Sequence, residues 1–458
     1  MGTLAVTTQQ QQVTILHYSA PPIIGGVEST IYHHARLLAQ AGYRVHVIAG
    51  RGEAFHPQVV FHLLPQMDSR HPQALAIKQE LDRGQVSPQF YHLRDHIIDL
   101  LRQHIAVTDV LIGHNVFTLH KNLPLTAALY HLLVEDSASH PRILAWHHDL
   151  AWRDPQYAGE VYPGYPWDLL RQCWPGVVQV TVSEPRRSEV ASLYGIPLQS
   201  VTVVPPGVDL LTFFRWTEMT QRIAKAYRLL DADLVLLQPS RITRRKNIQL
   251  AVRMLASFRQ RTGLDARLVV TGPPGPHNPS NVAYLTDLLA LRRDLGLREA
   301  AHFVYELGDE EQPLVPDEAT MTNLYLLADA LIFPSFEEGF GIPMLEAGLI
   351  RLPIFCSSIP SLQATGGMEL HYFPPDTDPA AVGDLIARRL LTDSAFRLRR
   401  RIFQGYLWER ILSDRIIPLV GEGTNEKHTN RPSRRLPAES GPAGGLAPGR
   451  ARSVVRCL

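Results

Sequence analysis

Phe333–Glu346 reads FPSFEEGFGIPMLE and joins the end of an apolar strand to a glycine-containing turn and a new helix. Pro343 suits the first turn of that helix. Glycine lets the backbone approach a ligand closely, and the free amides at a helix start attract anions. Glu338 is expected at the tip of this loop, and Glu346 about one turn into the helix. The segment therefore predicts an anion-binding edge of a parallel sheet.

The same alternation of strand and helix extends in both directions from this segment. Upstream of residue 207, apolar strands are predicted at 13–17, 43–50, 109–114, 142–148, 177–183 and 201–207. Downstream, they are predicted at 234–240, 266–274, 301–307, 329–335 and 352–358. Helical periodicity lies between most of these strands, so the chain is expected to be α/β with two doubly wound halves. Such sheets bind ligands at the carboxyl ends of their strands.

The domain boundaries follow from this alternation. We predict a first Rossmann-like domain over 1–206, a second over 207–404, and a final helix at 405–420 that crosses back onto the first domain. Val204-Pro-Pro-Gly207 is the predicted hinge. The segment 421–458 is rich in Gly, Pro, Arg and Ser, with few aliphatic residues, and is predicted to be a disordered tail.

Bulk composition excludes several classes of protein. A chain of 458 residues is too long to fold around a single hydrophobic core, so two domains are expected. Its formal net charge of +1 argues against a nucleic-acid partner. The 3 cysteines lack CxxC spacing, which fits neither a disulfide framework nor a zinc site. The start of the chain lacks a signal-peptide pattern, and no apolar run reaches the roughly 20 residues of a membrane helix. A cytoplasmic protein is expected.

The two glutamates and their surroundings carry a specific resemblance. Glu338 and Glu346 are separated by 7 residues within the EEGFGIPMLE context. This pattern resembles the E-x7-E signature of retaining GT-B glycosyltransferases of the family-4 (group 1) type. The resemblance implies two Rossmann-like domains facing a central cleft. It also implies that Glu346 binds the nucleotide ribose, that Glu338 lies near the donor sugar, and that the amides of Gly339, Phe340 and Gly341 face the sugar or its phosphates.

A cationic segment follows the predicted strand at 234–240. Arg241 and Lys246 stand five positions apart, as an Arg and a Lys do in family members. A leaving diphosphate needs fixed positive charge, and these two side chains can supply it without a metal. Arg244 and Arg245 lie between them and are expected to be solvated.

Two further matches fall in the first half. Gly25 and Gly26 stand at the start of a predicted helix and resemble the GG-[VI]-E element of family members, whose glycine amides face the donor phosphate. Two interpretations of Glu28 stay open: contact with a ligand, or a structural pairing on the helix. His148 ends a strand where family members place a histidine that faces the donor sugar or the acceptor. A histidine there can bind a hydroxyl or shuttle a proton.

The sequence thus predicts a metal-independent hexosyltransferase with retention of configuration. The expected partners are a nucleoside-diphosphate sugar and a sugar, glycan or lipid-linked acceptor, with no other cofactor. The first domain is expected to bind the acceptor and the second the donor. Asp231-Ala-Asp233 precedes its predicted strand and Asp376-Thr-Asp378 lies in a proline-rich turn, so neither is taken as a metal site. Two alternatives stay open: a sugar-nucleotide epimerase on the same fold, and a catalytically silent binding subunit. The arginine-rich segment 397–403 allows a weak peripheral membrane contact.

Overall fold

The computed structural model of the chain describes residues 10–136, 141–276, 278–308 and 313–421. The predicted tail lies outside these residues, apart from Gly421. Two parallel sheets form within one compact unit, which comprises the described residues up to Val420. We call the part built on the first sheet the N-lobe and the part built on the second sheet the C-lobe. The predicted α/β fold with two Rossmann-like halves is confirmed.

The N-lobe contains a seven-stranded parallel sheet in the order β3-β2-β1-β4-β5-β6-β7. Its strands are β1 (Gln12–His17), β2 (Arg44–Ala49), β3 (Val59–Leu63), β4 (Val110–His114), β5 (Arg142–His147), β6 (Val177–Thr181) and β7 (Val201–Val203). Its helices are α1 (Gly26–Gln40), α2 (Pro72–Leu81), α3 (Pro88–Ile105), α4 (Leu123–Tyr130) and α5 (Glu184–Tyr194). The strand order reverses between β1 and β4.

The C-lobe contains a six-stranded parallel sheet in the order β10-β9-β8-β11-β12-β13. Its helices begin with α6 (Leu210–Phe213), α7 (Glu218–Ala226), α8 (Ile248–Thr262), α9 (Ser280–Asp294) and α10 (Glu318–Leu327), and continue with α11 (Ile342–Leu349), α12 (Pro360–Gly366), α13 (Pro379–Leu390) and α14 (Ser394–Gly405). Its strands are β8 (Leu234–Gln238), β9 (Ala266–Val270), β10 (Ala301–Phe303), β11 (Ala330–Phe333), β12 (Ile354–Ser357) and β13 (His371–Phe373). Here the order reverses between β8 and β11.

Both sheets are covered on both faces. In β8, Leu234 and Leu236 pack into one hydrophobic core of the C-lobe, whereas Val235 and Leu237 pack into another. This explains why the strands read as continuous apolar runs and not as alternating ones. Helices on both faces leave the strand ends and their loops as the accessible edge of each sheet.

Several predicted strand limits need correction. The strand expected at 301–307 ends at Phe303 and continues as a 3-10 turn over Val304–Leu307. The strands β3 and β13, each five residues or fewer, were missed. Both are short and each contains a histidine, so neither gives a long apolar run in the sequence.

Two chain segments run side by side where the lobes are joined. The amide of Val208 donates to the carbonyl of Tyr406 at 2.7 Å, and Val208 and Leu407 form a parallel bridge. A Cβ atom at Gly207 would lie 2.8 Å from the Trp408 ring, so glycine permits this close approach. The chain then continues through α15 (Trp408–Ile411), a π-helical turn (Leu412–Ile416) and α16 (Ile417–Gly421).

The residues that follow this junction pack onto the N-lobe. Trp408 and Ile416 belong to the same buried cluster as Val13 and Ile15 of β1. The chain therefore returns to the N-lobe after completing the C-lobe. Within the part of the chain that the structure describes, no helix is both long and apolar enough to cross a membrane.

Candidate active site

The reversal of strand order in the C-lobe brings two predicted site residues together. β8 and β11 are hydrogen-bonded neighbours, so the loops that follow them leave the sheet side by side. Lys246 lies on the first loop and Glu338 on the second. The Nζ of Lys246 donates to Oε1 of Glu338. Ligands bind at such reversal points in doubly wound sheets, which agrees with the predicted location.

Glu338 points inwards, contrary to the expected position at the loop tip. Its side chain is only 8% exposed, because Lys246 and Ser335 both donate to Oε1, the latter at 2.6 Å. Arg245 reaches the other oxygen at 3.3 Å while its own side chain stays 51% exposed, so Arg245 is solvated as expected but also pairs with Glu338. Buried carboxylates require such partners, since an unpaired buried charge is costly.

Lys246 is held by its backbone as well as by its ion pair. Its carbonyl accepts a hydrogen bond from the side chain of Gln238 at 3.0 Å. The next residue, Asn247, adopts a left-handed conformation with φ 50° and starts α8. Burial lowers the pKa of Lys246, and the Glu338 carboxylate opposes that shift. The ammonium group is therefore fixed at the sheet edge.

Arg241 lies on the same loop but does not join this cluster. Its side chain is exposed and has no hydrogen bond or ion pair among the described residues. Its backbone is tightly packed, because a Cβ atom at Gly272 would lie 2.8 Å from the Arg241 Cα. Three other cations of this loop are paired: Lys246 and Arg245 with Glu338, and Arg244 with Asp287. Arg241 is thus the one cation of the loop without a partner among the described residues.

The glycine turn before α11 has the predicted conformation. Gly341 has φ 95°, a left-handed value that favours glycine, and α11 begins at the next residue. Gly339 and Phe340 are exposed, and the carbonyl of Phe340 accepts a hydrogen bond from Thr365 at 2.8 Å. Their backbone is therefore accessible and anchored at the helix start.

Glu346 lies on the first turns of α11 and is exposed. It does not contact the Lys246–Glu338 pair through any hydrogen bond of the described residues. Its carboxylate accepts one hydrogen bond, from the hydroxyl of Tyr325 on α10. Sequence reasoning missed Tyr325, because a tyrosine within an apolar helix resembles a core residue.

In the N-lobe, Gly25 and Gly26 form the start of α1. Gly25 is the extended residue before the helix, and Gly26 is its first residue. No atom of the described residues lies within 4 Å of a Cβ built on Gly26, and Gly26 is exposed. Glu28 accepts a hydrogen bond from Ser19 at 2.6 Å, which supports the structural interpretation of this residue.

His148 lies at the carboxyl end of β5 and belongs to a cluster of imidazoles. Its Nε2 is 3.0 Å from Nδ1 of His114. Its amide donates to Asn115 at 2.8 Å, and Asn115 in turn donates to Asp149 at 2.9 Å. Burial, together with the nearby His17 and other positive groups, lowers the pKa of His148 to about 3. The ring is therefore neutral near pH 7.

Sequence reasoning did not select His17 and His114, although each is the last residue of its strand. Nδ1 of His17 donates to the carbonyl of His114 at 2.7 Å, since a carbonyl can only accept. This leaves Nε2 of His17 as an acceptor, and burial lowers the pKa of its ring. β1, β4 and β5 are adjacent in the sheet, so three strand-end histidines meet at one edge. Their shared position was the signal that could have identified them.

The predicted absence of a metal stays a prediction. Among the described residues, no group of three or more His, Cys, Asp or Glu is arranged to hold a metal ion. Of the two Asp-x-Asp pairs, Asp378 caps α13 and Asp233 forms an ion pair with Arg400 at 2.7 Å. Both aspartates thus have structural partners.

The arginine-rich segment 397–403 is partly neutralised within the C-lobe. Besides the Arg400–Asp233 pair, Arg399 forms an ion pair with the buried Asp329 at 3.1 Å. Arg397 and Arg401 are exposed. The weak membrane contact of this segment also stays a prediction.

Two doubly wound parallel sheets, each with polar residues at its reversal point, define a GT-B fold. Residues 219–402 match the family model described as "Glycosyl transferases group 1", and residues 24–210 match "Glycosyltransferase Family 4". The chain belongs to the family-4 (group 1) glycosyltransferases.

Individual relatives are distant. The mannosylglucosylglycerate synthase of Petrotoga mobilis is 24% identical over 270 residues, which are 55% of this chain and 60% of that protein. The MMP alpha-(1->4)-mannosyltransferase of Mycolicibacterium hassiacum is 23% identical over 447 residues, 88% of this chain and 97% of that one. A D-inositol 3-phosphate glycosyltransferase of Actinosynnema mirum is 31% identical over 175 residues, covering 38% of this chain and 39% of that one. The match thus spans 60% of the length of the Petrotoga protein and 39% of the length of the Actinosynnema protein.

Among solved structures, a glycosyltransferase from Rickettsia africae is similar at 14% sequence identity. The match covers 91% of this chain and 100% of that one, with a TM-score of 0.32.

Proposed function

We propose that this chain is a retaining glycosyltransferase that moves a hexose from a nucleoside-diphosphate sugar to a hydroxyl of a sugar, glycan or lipid-linked acceptor. The observation that carries the proposal is the contact between Lys246 and Glu338 at the strand-order reversal of the C-lobe, with the unpaired Arg241 on the same loop. A diphosphate is the ligand that suits two cations beside the start of a helix. The relatives named as glycosyltransferases support the reaction class.

The proposed reaction assigns a role to each of these groups. The bond between the hexose C1 and the diphosphate oxygen breaks, and the acceptor oxygen forms its bond to C1 on the same face. The acceptor proton passes to the departing phosphate oxygen. Arg241 and Lys246 stabilise the negative charge that develops on the diphosphate, which replaces the role of a metal ion.

The remaining predicted residues bind and orient the donor. Glu346 accepts hydrogen bonds from the ribose, and Glu338 lies beside the sugar while it fixes Lys246. The amides of Gly25 and Gly26 approach the phosphates from the N-lobe, and His148 contacts the hexose or the acceptor. Closure of the two lobes excludes water and so limits hydrolysis of the donor.

A panel of sugar nucleotides tests the proposal. GDP-mannose and UDP-glucose are the first donors to examine, and a donor that binds raises the melting temperature. Proton NMR of the same mixtures then follows slow transfer of the sugar to water, in the presence and absence of EDTA. We expect the α-anomer to be released first from an α-linked donor, with EDTA having no effect.

Other outcomes contradict one feature of the proposal or favour one of the two alternative functions. Release of the β-anomer contradicts retention, and loss of activity with EDTA contradicts metal independence. Inversion at C2 of an intact sugar nucleotide indicates the epimerase. If the donor binds tightly but its sugar is transferred neither to water nor to any of a panel of glycosides, the protein is the catalytically silent binding subunit.

A further inference from the structure

Tyr325 and Glu346 form an isolated pair at the surface of the C-lobe. The hydroxyl of Tyr325 donates the one hydrogen bond that the Glu346 side chain receives from the described residues. A carboxylate can only accept, so the phenol is the donor. Burial, and then the neighbouring carboxylate, raises the pKa of Tyr325. The hydroxyl therefore keeps its proton throughout the neutral range.

The two side chains differ in mobility. Glu346 is exposed, whereas Tyr325 is only 5% exposed and packs in a buried cluster with Phe333 of β11 and Leu352. An exposed glutamate has several free torsions, and holding one such side chain in place costs about 0.5–1.5 kcal/mol when a ligand binds. A hydrogen bond from a packed ring removes part of that freedom before binding.

The geometry of the pair suits one kind of ligand. A carboxylate offers about four acceptor positions on its two oxygens. Tyr325 occupies one position on Oε2, which leaves Oε1 and the remaining position on Oε2 for two donors. The 2′- and 3′-hydroxyls of a ribose stand on adjacent carbons and can donate to both oxygens of one carboxylate. A 2′-deoxyribose lacks one of these donors.

We propose that Tyr325 is a positioning residue that orients the Glu346 carboxylate towards both hydroxyls of a ribose, so that the site selects ribonucleotides over 2′-deoxyribonucleotides. This inference rests on the proposed function, since it assumes that Glu346 binds the nucleotide. It goes further by assigning a role to a residue of α10 and by stating the sugar selectivity of the nucleotide site.

The test compares nucleotide binding by Tyr325→Phe, Glu346→Ala and the double variant. GDP, UDP and their 2′-deoxy forms are titrated calorimetrically into each protein. We expect the wild type to bind the ribonucleotide about tenfold more tightly than its deoxy form. Tyr325→Phe is expected to raise the Kd of the ribonucleotide about 3- to 10-fold, with little change for the deoxy form. The double variant is expected to bind no more weakly than Glu346→Ala alone.

Tyr227→Phe is the matched control. Tyr227 is a second buried tyrosine of the C-lobe, and its hydroxyl donates to the carbonyl of Phe303 at 2.7 Å. Removing that hydroxyl costs a buried hydrogen bond without touching Glu346. We expect a lower melting temperature and an unchanged nucleotide Kd, which separates loss of stability from loss of positioning.

The outcomes distinguish the inference from the function on which it rests. If Glu346→Ala weakens binding and Tyr325→Phe does not, the positioning role is wrong and the proposed function stands. Additive effects in the double variant also overturn the positioning role. If Glu346→Ala changes nothing, or if neither nucleotide binds the wild type, the proposed nucleotide site fails and the inference fails with it.

Discussion

Lys246 and Glu338, 92 positions apart in the chain, form a largely buried ion pair between the loops that follow β8 and β11. The pair exists because these two strands are neighbours at the point where the strand order reverses. A cation that was expected to bind phosphate and a carboxylate that was expected to lie beside the sugar therefore act as one unit. Substitution of either residue changes the surroundings of the other.

Lys246→Met is expected to destabilise the fold through Glu338. The variant leaves the carboxylate 8% exposed with only Ser335 and the exposed Arg245 as partners. We expect a loss of about 1–3 kcal/mol in the free energy of unfolding, measured by urea denaturation. Glu338→Gln in the Lys246→Met background should recover part of that loss, because it removes the unpaired charge. Purely additive losses in the two variants would show that the pair is not coupled.

The sequence identified these residues but not their contact. Strand–loop–helix patterns located Lys246 and Glu338 correctly at strand ends. The direction of a side chain in a loop depends on tertiary contacts, and periodicity carries no information about it. Glu338 was therefore expected at the loop tip, with no indication that its side chain is buried against Lys246. The two loops meet because β8 and β11 are neighbours in the sheet, and the order of strands in a sheet cannot be read from the sequence.

The same limit applies to the N-lobe. His148 was selected because it ends a strand at a position that resembles the family pattern. His17 and His114 also end strands, but their contact follows from the order β1-β4-β5, which only the structure shows. A chain with 20 histidines offers no reason to choose these two from composition alone.

Arg241→Gln is expected to lower turnover without lowering stability. Arg241 is exposed and unpaired among the described residues, so the folded protein loses no contact when it is replaced. Loss of a charge that stabilises the leaving diphosphate should reduce kcat by about 10²- to 10³-fold. Arg244→Gln is the control, because Arg244 is a neighbouring exposed cation whose contacts, a pair with Asp287 and a position over the Tyr284 ring, do not involve Lys246 or Glu338. Equal kcat values for the two variants would contradict the assignment of Arg241.

Gly26→Ala tests whether a ligand approaches the start of α1. Within the part of the chain that the structure describes, no atom lies within 4 Å of the added methyl group. Helical backbone accepts alanine, so stability should be unchanged or raised by about 0.4–1 kcal/mol. A donor phosphate bound against the Gly26 amide would meet the methyl group, and kcat/KM should fall at least about tenfold. Gly405→Ala, at another open helical glycine, should leave kcat/KM unchanged. Full activity of Gly26→Ala would place the phosphates elsewhere.

The buried histidines of the N-lobe are expected to make the protein sensitive to acid. Burial lowers the pKa of His34 to about 3 and that of His147 to about 4. Unfolding returns each pKa to about 6.5, so between pH 6.5 and pH 4 the unfolded chain binds more protons than the folded one. The free energy of unfolding must therefore decrease as the pH falls through this range, by up to about 1.4 kcal/mol per pH unit for each such histidine.

His34→Leu should reduce this dependence on pH. Among the described residues, neither ring nitrogen of His34 has a hydrogen-bond partner. The ring packs edge-on against Trp146 and Trp408, with centroids at 4.6 and 5.5 Å. Replacing the ring by leucine therefore removes no hydrogen bond, and the free energy of unfolding at pH 7 should change by less than about 1.5 kcal/mol. Urea denaturation between pH 4 and pH 6.5 should show a slope smaller by about one proton than that of the wild type. The exposed His92→Gln serves as control, and an unchanged slope in His34→Leu would show that His34 is not among the groups that take up protons on unfolding.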